Sequence, residues 1–326
     1  MQRGHLLSPT EAPRSILDCI GRTPLVPLER IGRGLGVPLL AKCEHLNPGG
    51  SVKDRIALSI VDDAERRGAL RPGGTLVEAT AGNTGIGLAL VAVVRGYELV
   101  CVLPEKMSED KRAALRALGA KVVVTRNAPF GDPDHFQSVA RRLAEENGWF
   151  LTDQFHNEAN TRAHETTTGP EILEQTGGSI GAFVAGVGTG GTISGVGRVL
   201  KRAVPGVRIV LADPAGSGLA GLVNNGVLGP DGSYQVEGIG SSNPGRVFYK
   251  SVVDFAETIT DEESFAATAR LIREEGLLVG GSAGTALAAA LRVAQRDDVN
   301  GPVVVLIPDA WDRYRSKPWM QALGRE

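Results

Sequence analysis

With 326 residues, 42% hydrophobic and 22% charged, the chain carries enough apolar material for one large or two medium globular domains, which excludes a disordered protein. Its 35 Lys and Arg against 37 Asp and Glu leave a formal charge of −2, so there is no basic field to gather nucleic acid or anionic membrane, and a small-molecule partner is expected. The three cysteines, Cys19, Cys43 and Cys101, are scattered and show no C-x-x-C pairing, which argues against a disulfide framework or a zinc site and for a reducing compartment.

Glu11 and Asp18 stand among prolines near the start, where a leader would be basic and then apolar, and no run has the length of a membrane span. A soluble, cytoplasmic protein is expected. In chain order, short Val- and Leu-rich runs at 39–43, 75–79, 98–103, 121–125, 182–187, 208–212 and 302–307 predict buried strands. Segments of helical periodicity lie between them, at 53–67, 84–94, 108–118, 134–146, 192–203, 262–275 and 285–295. Strand and helix in alternation predict an α/β protein whose open, mostly parallel twisted sheets are flanked by helices. One sheet is expected within 46–155 and the other in the two flanks, 1–45 and 156–326. Many of the 43 glycines cluster at strand ends, where open sheets of this kind place their binding loops.

Four of these loops carry chemistry. The first runs from Ala41 to Arg55 through Asn47-Pro48-Gly49-Gly50-Ser51-Val52-Lys53. Ser51 is a plausible cap, and Lys53 falls in the first turn of the following helix, where the helix dipole and burial both favour the neutral amine that attacks a carbonyl. Considered alone, the same lysine reads as a surface residue paired to Asp54. The second, Glu78-Ala79-Thr80-Ala81-Gly82-Asn83-Thr84-Gly85, offers backbone N–H groups and the Thr80, Asn83 and Thr84 side chains to an anion, although such a turn also serves tight packing. The third, Gly186-Val187-Gly188-Thr189-Gly190-Gly191-Thr192, reads as a phosphate cup at a helix start. It lacks both the Walker lysine and the G-x-G-x-x-G spacing, which disfavours a nucleotide. In the fourth, Gly280-Gly281-Ser282-Ala283-Gly284-Thr285, Ser282 either caps the helix at 285–295 or touches a bound group.

Taken in this order and spacing, the four segments resemble the fold-type II pyridoxal-phosphate enzymes, of tryptophan synthase β-like fold, and within them the cysteine synthase and cystathionine β-synthase family. The resemblance extends over about 16–323, through Gly21-Arg22-Thr23-Pro24, Asp153-Gln154-Phe155, Thr168-Gly169-Pro170-Glu171, Val236-Glu237-Gly238-Ile239-Gly240 and Pro308-Asp309. It implies pyridoxal 5'-phosphate as cofactor, with Lys53 as its Schiff-base lysine and the catalytic base. Asn83 is then assigned to the pyridoxal 3′-oxygen, Gly188, Thr189, Gly190, Gly191 and Thr192 to the phosphate, and Ser282 to the pyridine nitrogen. Thr80, Ala81, Gly82, Thr84, Gln154 and Gly238 are assigned to the substrate. The implied reaction is β-replacement on serine or an O-activated serine such as O-acetylserine, through an aminoacrylate, with sulfide or a thiol such as homocysteine, giving cysteine or cystathionine. A homodimer built on the larger domain is implied as well, with 46–155 as a smaller, mobile domain that closes over the substrate.

Departures from the family pattern bear on substrate choice. Ala81 stands where a serine is common, Ala310 follows Pro308-Asp309 in place of a serine, and Ser241-Ser242-Asn243 replaces the tyrosine of cystathionine synthases. These leave the leaving group and the nucleophile open. The C-terminal regulatory domains of some members are expected to be absent, and Cys19 with His5 gives no haem-ligand pair. His45, His135, His156 and His164 read as ordinary polar positions, with His156 near the substrate entrance, while Glu165 and Glu171 are expected to solvate a helix start. The rival readings are a serine or threonine dehydratase and an inactive binding protein of the same fold.

Overall fold

Two parallel sheets order the molecule, and the apolar runs of the sequence are their strands. The computed structural model describes residues 12–323 apart from Ala81, Lys106, Ser108 and Ser242. The described strands are β1 (Leu25–Pro27), β2 (Leu39–Cys43), β3 (Thr75–Ala79), β4 (Glu98–Pro104), β5 (Lys121–Thr125), β6 (Phe150–Leu151), β7 (Ala182–Ala185), β8 (Arg208–Pro214), β9 (Phe255–Ile259) and β10 (Val303–Ile307). They form a six-stranded sheet in the order β1-β2-β10-β7-β8-β9 and a four-stranded sheet in the order β5-β4-β3-β6. Every pairing is parallel except that of β1 with β2, an antiparallel edge that places Leu25 opposite Lys42.

The helices are α1 (Lys53–Arg66), α2 (Asn83–Arg95), α3 (Glu109–Ala117), α4 (Phe136–Asn147), α5 (Glu158–Ala163), α6 (Gly169–Gln175), α7 (Gly191–Ala203), α8 (Leu219–Asn225), α9 (Asp261–Glu275), α10 (Gly281–Val293) and α11 (Pro318–Leu323). None of the described helices is long and apolar enough to cross a membrane. Successive strand residues serve opposite faces. Val303, Val305 and Ile307 pack with Leu271 of α9 and Leu287 of α10, while Val304 and Leu306 pack with Ile193 and Leu200 of α7. This is why β10 reads as an unbroken apolar run: it is central and buried on both faces. In the smaller sheet Leu76 meets Val61 and Leu88 on one face, and Val77 meets Val139 and Ala140 on the other.

Several elements differ from the sequence expectation. The apolar pattern misses β1, β6 and β9, and it misses α5, α6, α8 and α11; the strands among these are two to five residues long. Strand β7 stops at Ala185, before Gly186 and Val187, because the chain leaves the sheet there to form the glycine loop. Helix α10 begins at Gly281, four residues before Thr285, with Gly280 as its N-cap and no side-chain cap hydrogen bond. Ser282 lies inside the first turn, and the cap reading of this serine is thereby corrected. Ser51 also sits one residue outside the N-cap position of α1, which Val52 occupies, yet its Oγ accepts the Lys53 N–H at 3.2 Å.

Candidate active site

Lys53 projects from the start of α1, and the chain before it is fastened to the end of β10. Val52 N–H donates to the Pro308 carbonyl at 2.9 Å, Ser51 bridges Asp309, and Ala310 N–H donates to the Gly50 carbonyl at 3.1 Å. Helix α2 lies directly against this point: a Cβ on Gly87 would lie 3.0 Å from the Lys53 carbonyl oxygen, a tighter contact than side chains normally make. Burial lowers the Lys53 pKa, and the carboxylates of Asp309 and Glu44 only partly oppose it. The amine is therefore pushed toward its neutral, nucleophilic form.

Lys53, Asn83, Gly188, Thr189, Gly190, Thr192, Gly238 and Ser282 all line one cavity, and Gly191 opens α7 beside them. The loop from Gly188 to Thr192 is fitted to an anion. Gly190 has φ +97°, and a Cβ there would lie 2.4 Å from that of Phe248, while one on Gly188 would lie 2.4 Å from the Gly238 carbonyl oxygen. Glycine alone gives that backbone its shape, which leaves the first-turn N–H groups of α7 and the hydroxyls of Thr189 and Thr192 as donors. Asn160 Nδ2 donates to Thr189 Oγ1 at 3.0 Å, and His164 Nε2 stands 3.1 Å from Thr192 Oγ1.

At the opposite end Asn83 Nδ2 donates to Asp309 Oδ2 at 2.7 Å, and Tyr314 donates to the same oxygen at 2.6 Å. Asn83 Oδ1 and Asp309 Oδ1 are buried without partners. Burial raises the Asp309 pKa against its hydrogen bonds from Tyr314 and Asn83. Asp309 also lines the cavity, as do Gly186, from the glycine loop, and Val52, Ile193, Ile239, Leu306 and Pro308.

The loop between β3 and α2 presents a second group of hydrogen-bond donors at a helix start. Gly82 is the N-cap of α2 and offers no side chain, so the first N–H groups of the helix stay open. Thr80 is buried, with its Oγ1 accepting the Gly82 N–H at 3.3 Å, and Thr84 donates to Gln154 Oε1 at 2.6 Å. Gln154 is oriented from behind by Glu78, whose carboxylate faces Gln154 N at 3.2 Å and Nε2 at 3.4 Å. Burial pushes the Glu78 carboxyl up to about 7. Ala81 and Ser242 lie outside the described residues, as does His5.

Beneath Lys53 lies a buried charge network that the sequence reading missed. Arg55 holds Glu44 through Nε at 2.7 Å and Nη2 at 2.8 Å, and it holds both oxygens of Glu171 at 2.7 Å. Lys42 adds bonds to Glu171 at 2.7 Å and Gln175 at 2.9 Å. Burial alone would raise the Glu171 carboxyl, but Arg55 and Lys42 more than offset this and hold it at about 2. Glu171 therefore does not solvate a helix start but is held inside this network, whereas Glu165 pairs with Arg198 near the surface. The available signal was Lys42, a cation inside the apolar strand Leu39–Cys43. His156 is exposed beside Asp153, and His45 and His164 are buried.

Residues 16–309 match the family model described as pyridoxal-phosphate dependent enzyme. The chain belongs to that family. Its donor set fits the cofactor: a buried amine lines the same cavity as the glycine loop at the start of α7, with that loop's N–H groups and hydroxyls suited to a phosphate. The chain is 48% identical over 321 residues to cystathionine beta-synthase of Oryctolagus cuniculus, covering 95% of this chain and 57% of that protein. It is 43% identical over 319 residues to cysteine synthase 1 of Emericella nidulans, covering 95% and 86% respectively. Among solved structures it superposes on the O-acetylserine dependent cystathionine beta-synthase from Helicobacter pylori with a TM-score of 0.84 at 38% identity, over 94% of this chain and 99% of that one. The first cystathionine beta-synthases it matches are thus longer proteins, of which it spans 57% to 64%.

Proposed function

We propose that the chain replaces the β-substituent of serine or an O-activated serine such as O-acetylserine with sulfide or a thiol such as homocysteine, yielding cysteine or cystathionine. The observation that carries this reading is that Lys53, Asn83, Ser282 and the glycine cup line one cavity, while Thr80, Thr84 and Gln154, which do not line it, gather around the start of α2, the helix that Asn83 opens. A covalent amine, a phosphate holder and a carboxylate holder are what an amino-acid substrate and this cofactor together require. The names of the relatives support the same class of reaction.

When bound, pyridoxal phosphate supplies an electron sink for charge that develops on the substrate Cα. The protein supplies the rest. Gly188 through Thr192 would hold the phosphate, Asn83 would serve the 3′-oxygen, and Ser282 would serve the ring nitrogen. Thr80, Gly82, Thr84 and Gln154, with Ala81 and Gly238 beside them, bind and orient the substrate. Lys53 would hold the cofactor through its ε-amine and, once free of it, would take the proton from the substrate Cα and later return it. A neutral ε-amine is needed to bond the cofactor and to take the proton, which the resulting ammonium then returns, and burial at the start of α1 favours the neutral form. The smaller unit, residues 46–155, moves to close the carboxylate site, and the protein acts as a cytoplasmic homodimer built on the larger one.

Product analysis tests the reading. The purified chain, loaded with pyridoxal phosphate, is given serine or O-acetylserine with and without sulfide or homocysteine. Cysteine or cystathionine is the expected product. Pyruvate alone, undiminished by either nucleophile, would establish a dehydratase and refute the proposal.

A further inference from the structure

The structure assigns His164 a place in the site: we propose that it is a positioning residue whose Nε2–H donates to Thr192 Oγ1 and so reserves the Thr192 hydroxyl proton for the phosphate. The inference rests on Gly188–Thr192 being the phosphate cup, and it concerns a residue outside that loop.

His164 has no exposed surface and opens a five-residue π-helical stretch, His164–Thr168, between α5 and α6. Such stretches are uncommon and recur at functional sites. Helix α7 lies close against it, since a Cβ on Gly195 would come within 2.8 Å of that of His164. The ring reaches two hydroxyls. Nδ1 stands 2.9 Å from Thr168 Oγ1, and Nε2 stands 3.1 Å from Thr192 Oγ1 in the first turn of α7. Burial, aided by the Arg55 cation and only partly opposed by Glu44 and Glu171, lowers the ring to about 3, so the imidazole is neutral and carries one proton.

Two tautomers are then available, and the neighbouring hydroxyls choose between them. Thr166 and Thr167 donate to the carbonyls four residues back, those of Arg162 and Ala163. Thr168 Oγ1 makes no such bond; it is buried, and its partner is the ring Nδ1, the acceptor within reach of its hydrogen. Thr168 therefore turns its hydroxyl to the ring and donates to Nδ1. The proton is left on Nε2, which donates to Thr192 Oγ1. A hydroxyl that accepts from histidine keeps its own hydrogen for another acceptor, and Thr192 faces the cavity. In the opposite tautomer Thr192 would donate into the ring and turn only lone pairs toward an anion. A bound phosphate thus favours the same tautomer as Thr168.

The test uses apoenzyme titrated with pyridoxal phosphate and, separately, with pyridoxal, which lacks the phosphate; absorbance reports attachment to Lys53. His164→Met is expected to weaken pyridoxal phosphate about tenfold, the worth of one hydrogen bond to a charged group, and to leave pyridoxal within about twofold. His164→Gln, whose amide nitrogen can stand in for Nε2, should recover most of the loss. Thr192→Val should behave like His164→Met, and the double variant should be no worse than Thr192→Val. Thr168→Val, of the same size, should weaken pyridoxal phosphate several-fold because it releases the tautomer. Equal losses for both ligands mean a purely structural histidine and overturn the inference, as do additive single effects. If His164→Met does not fold, an unchanged affinity in Thr168→Val overturns it by itself. No effect of Thr192→Val on pyridoxal phosphate would refute the cup assignment instead, a result separate from any failure at His164.

Discussion

Glu171→Gln takes one charge and almost no volume from the network beneath Lys53, leaving Lys42 and Arg55 with a neutral partner. The carboxyl titrates at about 2 in the folded chain, against an ordinary value of 4.5. That difference corresponds to about 3 kcal/mol of stability at pH 7, at about 1.4 kcal/mol per pKa unit. A depressed carboxylate contributes fully above its unfolded value and loses its contribution as pH falls toward its folded value. The advantage of the native protein over Glu171→Gln should therefore stay near 3 kcal/mol from pH 7 down to about 5 and narrow to about 2 kcal/mol at pH 3.5. Breaking a buried pair by removing one partner costs about 3–5 kcal/mol, which agrees in size. Urea unfolding of the two proteins at pH 7, 5 and 3.5 measures the gap. A gap below about 1 kcal/mol at pH 7, or one that does not narrow in acid, would refute a structural charge at Glu171.

The other predictions concern the cavity. Lys53→Ala should abolish turnover with the circular dichroism spectrum intact, because the amine that tethers the cofactor and moves the Cα proton is gone while the cup remains; native rates would refute the assignment. Gly190→Asp should leave the purified protein without cofactor, since it brings a like charge to the phosphate and a Cβ to within 2.4 Å of that of Phe248. Normal absorbance of bound cofactor in that variant would remove the cup from the site. Ser282→Asp should keep cofactor but lose most turnover, while Ser282→Ala is milder, because a carboxylate facing the ring nitrogen favours its protonation. Near-native turnover in the Asp variant would take Ser282 off the list of cofactor contacts.

The larger elements were legible because their physics is local. A strand buried on both faces must be apolar throughout, so β3, β4, β8 and β10 declare themselves, and a helix on such a sheet must repeat its apolar residues at helical spacing. The glycines of the loop were legible for a similar reason, since a Cβ on Gly188 or Gly190 would come within 2.4 Å of the Gly238 carbonyl oxygen or of Phe248. Short elements gave no such signal. Strand β6 has two residues, and β9, on the sheet edge, alternates exposure in Phe255–Ile259 without a continuous apolar run. The start of α10 was placed a turn late because Gly281, Ser282, Ala283 and Gly284 carry almost no apolar periodicity, though all four are buried.

What was hidden depends on pairs distant in the chain. His164 meets Thr192 across 28 residues, Glu78 meets Gln154 across 76, and Arg55 meets Glu171 across 116. Each partner by itself suits a solvated surface equally well, so only the folded chain decides. The charge network also resists a reading as stability alone, because well-packed apolar residues usually serve a core as well as buried ions do. Its geometry points to position. Lys42 and Glu44 belong to β2 and the turn after it, Arg55 to the first turn of α1, and Glu171 to α6, so three separate segments meet through fixed hydrogen-bond directions. Arg55 is two residues from Lys53, and its five N–H donors tolerate little rotation when two carboxylates engage them. An apolar contact at that place would permit α1 to slide or turn; the ion network holds the register on which the reach of Lys53 into the cavity depends.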